Sequence, residues 1–338
     1  MPRFFPCANL AAKKLGKNWK MSAAAVEKSD STLMFCASCG VAGSDDIKLK
    51  KCTACYLVRY CSVKCQIDHR PKHKKECKKR AAELRDEILF KQPESNHFGD
   101  CPICCLPVPI DTQKSIFNSC CSKRICDGCN VANNRREIEA RLQPKCVFCR
   151  EPLPKTYDEA DKRLIKRIEA NDPDAIAHMG SIKYHEGDHK SAFECWTKAA
   201  ALGDPFAHHE LSILYREGQG VEKDEKRALY HAEQAAIGGH PIARHNVGWT
   251  EKERGRMDRA VKHYIIAAKL GNDKSLENLT NGYRAGHVSK EDFTAALRGY
   301  QAAIAATKSP QREEAAEYQE HATEQERRLG GRSVLTRR

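Results

Sequence analysis

The feature that most constrains this chain is the placement of its cysteines, since 16 of the 18 lie between Cys36 and Cys149. Most of these cysteines come in pairs separated by two residues, a spacing that delivers two ligands to one metal ion. The first 20 residues lack the apolar stretch of a secretory signal, so we expect metal binding here rather than disulfide bonds. Such short segments bury too little apolar surface to fold alone, and bound metal would supply the missing free energy.

The first cysteine cluster contains eight ligand-type side chains within 42 residues. Zinc takes four sulfur or nitrogen ligands at the corners of a tetrahedron, so eight ligands predict two closed structural sites. Two pairs have i,i+4 spacing, which predicts that each pair lies on one face of a short helix. The predicted ligands are Cys36, Cys39, Cys52, Cys55, Cys61, Cys65, His73 and Cys77.

The details of this first cluster resemble the MYND zinc finger, in the segments Tyr60-Cys61-Ser62, Cys65-Gln66 and the His73-to-Cys77 end. The resemblance implies protein binding and two interleaved sites. The family often has Trp three residues before the ligand histidine, where this chain has Arg70, and that Trp often contacts proline-rich peptides. The implied ligand sets are Cys36, Cys39, Cys61 and Cys65 at one zinc ion, and Cys52, Cys55, His73 and Cys77 at the other.

The segment after these ligands is strongly basic over residues 70–80. It is compatible with a nuclear-import signal or with a solvated helix face, and we favour the solvated face because two of its members are predicted ligands. We accordingly expect a cytoplasmic or nuclear location. Residues 81–90 have the apolar spacing of a short amphipathic helix, within a connecting segment at residues 78–98.

The second cysteine cluster contains eight predicted ligands: Cys101, Cys104, Cys120, Cys121, Cys126, Cys129, Cys146 and Cys149. Its pattern resembles the RING finger, which implies one site from Cys101, Cys104, Cys126 and Cys129, and a second from Cys146 and Cys149 with two central ligands. Where the family usually places a histidine, this chain has Lys123, whose ammonium cannot bind zinc without losing its proton. Either Cys120 and Cys121 fill both places, which we favour, or the second site is degenerate. Cys105 is surplus.

RING fingers of ubiquitin ligases contact the conjugating enzyme through a hydrophobic residue between the first two ligands, a position matched here by Ile103. A basic residue after the last ligand often contacts ubiquitin, and Arg150 matches it. The proline usual after the seventh ligand is replaced by Val147. The resemblance therefore leaves open a ligase, which would act by orienting its partner, and a RING without catalytic function.

The second half of the chain has internal repeats. Ala192, Ala228, Ala260 and Ala296 begin similar segments after intervals of 36, 32 and 36 residues, and small residues recur upstream at Gly180, Ser212, Gly248 and Thr280. This period predicts an α-solenoid of helix pairs, in which the small residues allow close helix packing. The repeats resemble SEL-type repeats, with simple tetratricopeptide repeats as the alternative. The 32-residue units lack four residues of the loop at 218–229.

One motif in the repeats imitates a zinc protease. Residues His185 to His189 fit the pattern H-E-x-x-H, whose chemistry requires both histidines on one continuous helix. Here Gly187 and Asp188 fall at the predicted turn between paired helices, so we do not expect a protease. Trp196 and Tyr264 occupy equivalent positions in two repeats, and we expect both to pack in the core.

Net charge bears on the class of partner. The formal charge is +13, but fifteen zinc-bound thiolates carry fifteen negative charges and four Zn²⁺ ions eight positive ones, which lowers it to about +6. The chain also lacks the interleaved aromatic residues that stack on bases, so we do not expect nucleic acid as a partner. No apolar stretch is long enough to predict a membrane span.

Together these features predict two small cross-brace zinc-binding modules with little regular structure, followed by an all-α helical-repeat solenoid. We expect four Zn²⁺ ions and a zinc-binding scaffold whose repeats and MYND finger bind proteins. The alternative is a RING-type ubiquitin ligase, so whether the chain is an enzyme stays open. The expected segments are a basic disordered tail at 1–35, the MYND-type finger at 36–77, the helix and linker at 78–98, the RING-type finger at 99–152, about four repeats at 160–307 and a charged tail at 308–338.

Overall fold

The computed structural model describes residues 34–328, with side chains to residue 321. The tail predicted at residues 1–35 therefore lies almost entirely outside the described residues, as does the end of the charged tail beyond residue 328. The described residues form two compact units, which divide between Lys91 and Gln92. Each unit is described separately below.

The first unit consists of a two-stranded sheet and one long helix. Strands β1 (Lys50–Lys51) and β2 (Arg59–Tyr60) are antiparallel, and helix α1 spans Val63–Leu89. Ser62 caps α1, because its side chain accepts a hydrogen bond from the backbone N–H of Cys65.

Helix α1 differs from the sequence prediction, which divided this region into separate short helices. Cys61 lies before the helix, and the rest of the region is continuous through Pro71, a residue that removes one backbone hydrogen bond. Predicted zinc ligands lie on both sides of this proline, with Cys65 before it and His73 and Cys77 after it. Zinc binding by ligands on both sides of Pro71 can offset the free-energy cost of a proline inside the helix. Helix propensity alone does not include this contribution.

The second unit begins with the second zinc module, the name used here for residues 99–152. A 3₁₀ turn at Thr112–Lys114 leads into an antiparallel hairpin of β3 (Ser115–Asn118) and β4 (Lys123–Cys126), and helix α2 (Asp127–Glu139) follows directly. The small core contains Val108 and Ile125, both fully buried among the cysteines. A core of this size makes the module dependent on metal.

The remainder of the second unit is helical. Helix α3 (Tyr157–Glu169) precedes four consecutive helix pairs, and α12 (Pro310–Arg328) follows them. In each pair the first helix is called the A helix and the second the B helix. The pairs are α4 (Pro173–His185) with α5 (His189–Ala201), α6 (Pro205–Glu217) with α7 (Glu225–Ile237), α8 (Pro241–Glu253) with α9 (Met257–Lys269), and α10 (Asp273–Arg284) with α11 (Lys290–Ala306).

These pairs confirm the predicted solenoid and its variable loop. The second pair is joined by residues 218–224, whereas residues 186–188 join the first, a difference of four residues. Three A helices begin with proline in their first turn, immediately after a residue whose side chain caps the helix. Proline fits that position because its missing N–H has no partner there in any helix.

In the first and third pairs, small residues allow the helices to approach closely, as predicted. Trp196 is 1% exposed and its indole N–H donates to the carbonyl oxygen of Ala177 at 3.0 Å. A Cβ added to Gly180 would lie 2.5 Å from the Trp196 Nε1 atom. Tyr264 packs on Gly248 in the same way and is also buried. Both aromatic residues therefore serve the core.

Among residues 34–328, no helix combines the length and the apolar character that crossing a membrane requires.

Candidate zinc centres

The structure brings all sixteen predicted ligands together in four groups of four. In each group the ligand atoms lie within 4.8 Å of one another. The first tetrad is Cys36, Cys39, Cys61 and Cys65; the second is Cys52, Cys55, His73 and Cys77; the third is Cys101, Cys104, Cys126 and Cys129; and the fourth is Cys120, Cys121, Cys146 and Cys149. In both clusters the chain alternates between two tetrads, which is the interleaved arrangement that the resemblances implied.

The distances within the tetrads fit tetrahedral zinc. Zinc–sulfur bonds of about 2.3 Å place the sulfurs of a tetrahedron about 3.8 Å apart. The Sγ atoms of Cys52 and Cys77 are 3.8 Å apart, and those of Cys104 and Cys126 are 3.7 Å apart. Three tetrads contain only sulfur donors, and the second adds the Nε2 atom of His73, 3.2 Å from Cys55 Sγ. These donor sets are typical of structural zinc, and the chain has multiple zinc sites.

Four of the five Cys-x2-Cys pairs, all but Cys126 with Cys129, share one backbone turn. The residue after each second cysteine has positive φ and donates its N–H to the carbonyl oxygen of the first cysteine, four residues earlier. Glycine adopts this left-handed conformation easily, but three of the four residues have side chains and are held in it. The four residues are Gly40, Tyr56, Cys105 and Arg150. Cys105 belongs to none of the tetrads.

This turn also favours the thiolate form of the first cysteine of a pair, because its backbone N–H groups donate to that sulfur. Burial alone would raise the pKa of the Cys36 thiol, but backbone donors from Cys39, Cys61 and Ser38 lower it to about 6. In the fourth tetrad, a hydrogen bond from Cys121 and backbone donors from the turn lower the pKa of Cys146 to about 4, against the effect of burial. Thiolate is the form that binds zinc.

Around His73, aromatic side chains fix the ring. His73 is 6% exposed and stacks on His69 at a centroid distance of 5.7 Å. The Nδ1 atom of His69 lies 3.1 Å from the hydroxyl oxygen of Tyr60, which is also buried. This packing orients the imidazole toward the other ligands of the second tetrad. Neighbours that pack on or hydrogen-bond to a histidine ligand commonly fix its orientation at zinc sites.

The hairpin of β3 and β4 explains how adjacent cysteines serve one tetrad. Its turn is tight, since the N–H groups of Cys121 and Ser122 both bond to the carbonyl oxygen of Asn118. Cys120 and Cys121 lie in this turn and meet Cys146 and Cys149, with 3.3 Å between the Sγ atoms of Cys120 and Cys149. Lys123 is exposed at the start of β4 and takes no part.

The two residues predicted to contact ubiquitination partners lie in different settings. Ile103 is partly buried against the core of the second zinc module. The Arg150 guanidinium contacts its own module, donating to Asn133 Oδ1 at 2.9 Å and to Glu137 Oε1 at 2.7 Å.

Sequence reasoning did not identify Glu137, although it organises this module. The side chain is buried in α2 and accepts hydrogen bonds from Arg150 and from the backbone N–H of Lys145. Burial opposes its ionisation, but these two donors keep its pKa below the usual value. The bond to Lys145 holds the residue before the ligand Cys146. A lone glutamate in a polar helix carries no signal for this role.

The H-E-x-x-H segment is not a metal site. Helix α4 ends at His185 and α5 begins at His189, so the histidines lie on different helices. Neither residue belongs to any group of metal-ligand type among residues 34–328.

Three histidines join the second zinc module to the repeats, a contact that the sequence did not predict. The ring of His97, just before the module, stacks on that of His240 at 4.0 Å, and His240 stacks on His209 at 4.1 Å. The N–H of His97 also donates to the carbonyl oxygen of Gly239. We call these three residues the histidine stack. A third ring pair, Phe117 with His178 of α4, extends the same contact.

Comparison with known families gives two matches. The MYND finger family matches residues 36–77, the range of the first two tetrads. The Sel1 repeat family matches residues 173–204, 205–240 and 256–272, which cover the first two helix pairs and helix α9 of the third.

The individual relatives match only parts of the chain. Chitin synthase regulatory factor 4 of Schizosaccharomyces pombe is 32% identical over 25% of this chain and 13% of its own length. An uncharacterized protein of Neisseria meningitidis serogroup B is 27% identical over 40% of this chain and 37% of its own. The crystal structure of a Sel1 repeat protein from Oxalobacter formigenes covers 46% of this chain and 66% of its own, at 30% identity and a TM-score of 0.39. This chain therefore contains a MYND finger at residues 36–77 and Sel1 repeats within residues 173–272.

Proposed function

We propose that this chain is a protein-interaction scaffold, in which zinc maintains two cysteine-rich modules and the helical repeats bind a protein partner. The closure of all four tetrads carries the proposal. Each has four sulfur or nitrogen donors, whereas a catalytic zinc site leaves one position for water or substrate. MYND fingers and Sel1 repeats both serve as protein-interaction modules, which fits this chemistry. A cytoplasmic or nuclear location is part of the proposal, since reduced thiols persist there.

The repeats offer the partner a limited surface. Phe117 of the second zinc module already covers His178 of α4, and His97, just before the module, covers His240 at the start of α8, which stacks in turn on His209 of α6. Further along α8, Trp249 is 49% exposed, and the Lys252 ammonium lies 5.3 Å from its ring centroid. An exposed tryptophan beside a cation is a favourable anchor for binding, so we place the partner at this end of α8.

An affinity capture with single variants tests this placement. Zinc-loaded wild-type chain is the bait, and Trp249→Ala is compared with Tyr230→Ala, which removes an aromatic residue 54% exposed on α7. We expect one set of proteins to be recovered by the wild type and by Tyr230→Ala but lost with Trp249→Ala. Equal recovery by all three baits would show that the partner does not use Trp249.

A RING-type ubiquitin ligase is the alternative function, and the fourth tetrad favours it. Because Cys120 and Cys121 join Cys146 and Cys149, Lys123 does not leave the second site short of ligands. Two complete tetrads in this module fit the resemblance to a RING finger, in which Ile103 would take the position that contacts a conjugating enzyme. The ligase would act by holding a charged conjugating enzyme in a reactive orientation, without a nucleophile of its own.

Reconstituted ubiquitination tests this alternative. The purified chain is combined with ubiquitin, activating enzyme and a broad panel of conjugating enzymes. If it is a ligase, chains form, and Ile103→Ala weakens enzyme docking by about 1–3 kcal/mol through loss of apolar burial. Ile116→Ala, at a residue 42% exposed on β3 of the same module, is the matched control and should retain activity. Absence of chains with every enzyme would exclude the alternative.

A further inference from the structure

Helix α12 lies against α2 of the second zinc module, and polar contacts dominate the interface. Arg135 of α2 forms an ion pair with Glu314, and its guanidinium lies 5.7 Å from the ring centroid of Tyr318. Gln319 donates to Asp127 at 3.0 Å. Among the α12 side chains up to residue 321, Ala315 alone is fully buried. Exposed ion pairs stabilise little, so this interface is open to release.

At the beginning of α12, Arg312 connects the helix to the third tetrad. Its guanidinium donates to the carbonyl oxygens of Pro107 at 2.8 Å and Leu106 at 3.2 Å. The same group donates to the Sγ atom of Cys104 at 3.4 Å. Arg312 therefore places a positive charge and a hydrogen-bond donor on one predicted zinc ligand, 208 residues away in sequence.

Helix α12 also contacts Gly128, which lies in sequence between the ligands Cys126 and Cys129. A Cβ added to Gly128 would lie 3.1 Å from both the backbone N and the Cα atom of Arg312. The missing side chain of Gly128 thus allows the backbone of α12 to rest on α2. The docked helix contacts both chain segments that supply ligands to the third tetrad.

We propose that α12 is a releasable strap and that Arg312 is a positioning residue for the third tetrad, so that zinc is held more tightly there while α12 is docked. Four thiolates around Zn²⁺ carry a net charge of −2, which a neighbouring guanidinium partly balances. Groups in the outer shell of a zinc site typically change metal affinity 10- to 100-fold. A partner that displaced α12 would therefore loosen this one zinc ion.

Zinc transfer from the fully loaded chain to a chromogenic chelator tests the proposal. We expect Arg312→Ala to accelerate the release of one of the four zinc ions by 10- to 100-fold and to leave the other three unchanged. Arg298→Ala, which removes an exposed arginine on α11 of the same unit, is the control and should match the wild type. Hydrogen exchange followed by mass spectrometry identifies the site, since only residues 101–107, residues 126–130 and α12 should lose protection.

Two further variants keep the test decisive if Arg312→Ala disturbs folding. Gly128→Ala retains Arg312 but pushes α12 away, and it should accelerate release of the same zinc ion. Arg312→Lys retains the charge with a single donor group and should have an intermediate effect. The proposal is overturned if zinc leaves the variants at wild-type rates, if all four ions accelerate together, or if the loss of protection maps to the fourth tetrad.

Discussion

Gly180 illustrates how one residue sets the distance between two helices. Its Cα faces the Trp196 ring so closely that any side chain would collide with it. We predict that Gly180→Ala lowers the free energy of unfolding of the repeats by about 1–3 kcal/mol, because overpacking outweighs the gain in helix propensity. Urea denaturation followed by circular dichroism measures the change.

Gly299→Ala is the matched control for that substitution. Gly299 is also in a helix, and its new Cβ would lie 2.5 Å from the Cγ atom of Lys269, an exposed side chain that has to change its rotamer, whereas the Trp196 ring is buried. This variant should be destabilised less than Gly180→Ala, because an exposed side chain can adjust and alanine has the higher helix propensity. Equal destabilisation by both substitutions would show that contact with Trp196 is not the cause.

Arg150 illustrates how structure changes the meaning of a residue chosen by resemblance. Its guanidinium pairs with the buried Glu137, so Arg150→Ala leaves that carboxylate with one donor fewer. We predict that the second zinc module loses about 1–2 kcal/mol of stability, a modest value because Arg150 is itself half exposed. Thermal unfolding of the zinc-loaded protein measures the loss.

A double variant separates the loss of this ion pair from the cost of leaving Glu137 as an unpaired buried charge. Glu137→Gln with Arg150→Ala removes the buried charge as well, so the double variant should be more stable than Arg150→Ala alone. If Arg150→Ala unfolds like the wild type, the pair with Glu137 contributes nothing measurable. If Arg150→Ala also shows a ubiquitination defect, comparison with the double variant tells whether lost stability of the module causes it.

Among the secondary-structure elements, those with a repeating pattern could be predicted from sequence. The recurring small residues give the four helix pairs, and the resemblances to the MYND and RING fingers imply the interleaved tetrads. Helix α1 could not be predicted as one element, because Pro71 signals a break and the zinc ligands that span it act only in three dimensions. The docking of α12 depends on Gly128 and Arg312, far apart in sequence and without periodicity.

The histidine stack gives one contact between elements a defined pH dependence. Burial lowers the pKa of His97 to about 3 and of His209 to about 4, and it lowers that of His240 well below 6.5. Arg124 on β4 and Arg216 on α6 act in the same direction. The folded chain thus holds these rings neutral, whereas the unfolded chain takes up protons below pH 6.5. The contribution of these neutral rings to the free energy of unfolding is therefore complete above pH 6.5 and declines as the pH falls toward 4.

We therefore predict that lowering the pH from 7.5 to 5.5 destabilises the second unit by on the order of 1 kcal/mol per stacked histidine. His97→Phe, which keeps a ring in the stack without its titration, should weaken this dependence. His287→Phe, at an exposed histidine after α10, is the control. Urea denaturation at both pH values measures the difference between variants, in which acid effects common to the zinc thiolates cancel. Identical pH dependence in all variants would exclude the stack as its source.

At the scale of the whole molecule, the second unit combines a zinc module, whose folding we expect to depend on metal, with helical repeats, whose folding we expect not to. The sequence predicts separate segments, because the composition changes abruptly from cysteine-rich to alanine-rich near residue 160. The structure places these segments in contact, through the histidine stack on one side and α12 on the other. Such contacts consist of single rings and hydrogen bonds, which no composition or period reveals. Metal bound in the second zinc module therefore influences residues of the repeats.

Zinc removal should separate these contributions. Chelation should unfold both cysteine-rich modules and release α12, while α4–α11 persist, because the repeats bury an apolar core of their own around Trp196 and Leu211. Helices α1, α2 and α12 contain 27, 13 and 19 residues, so roughly a third of the helical circular dichroism should disappear. Hydrogen exchange should increase at His240, which loses its contact with His97, and at His209, which stacks on His240, but not at Trp196. Loss of the entire helical signal would instead mean that the repeats need zinc to fold.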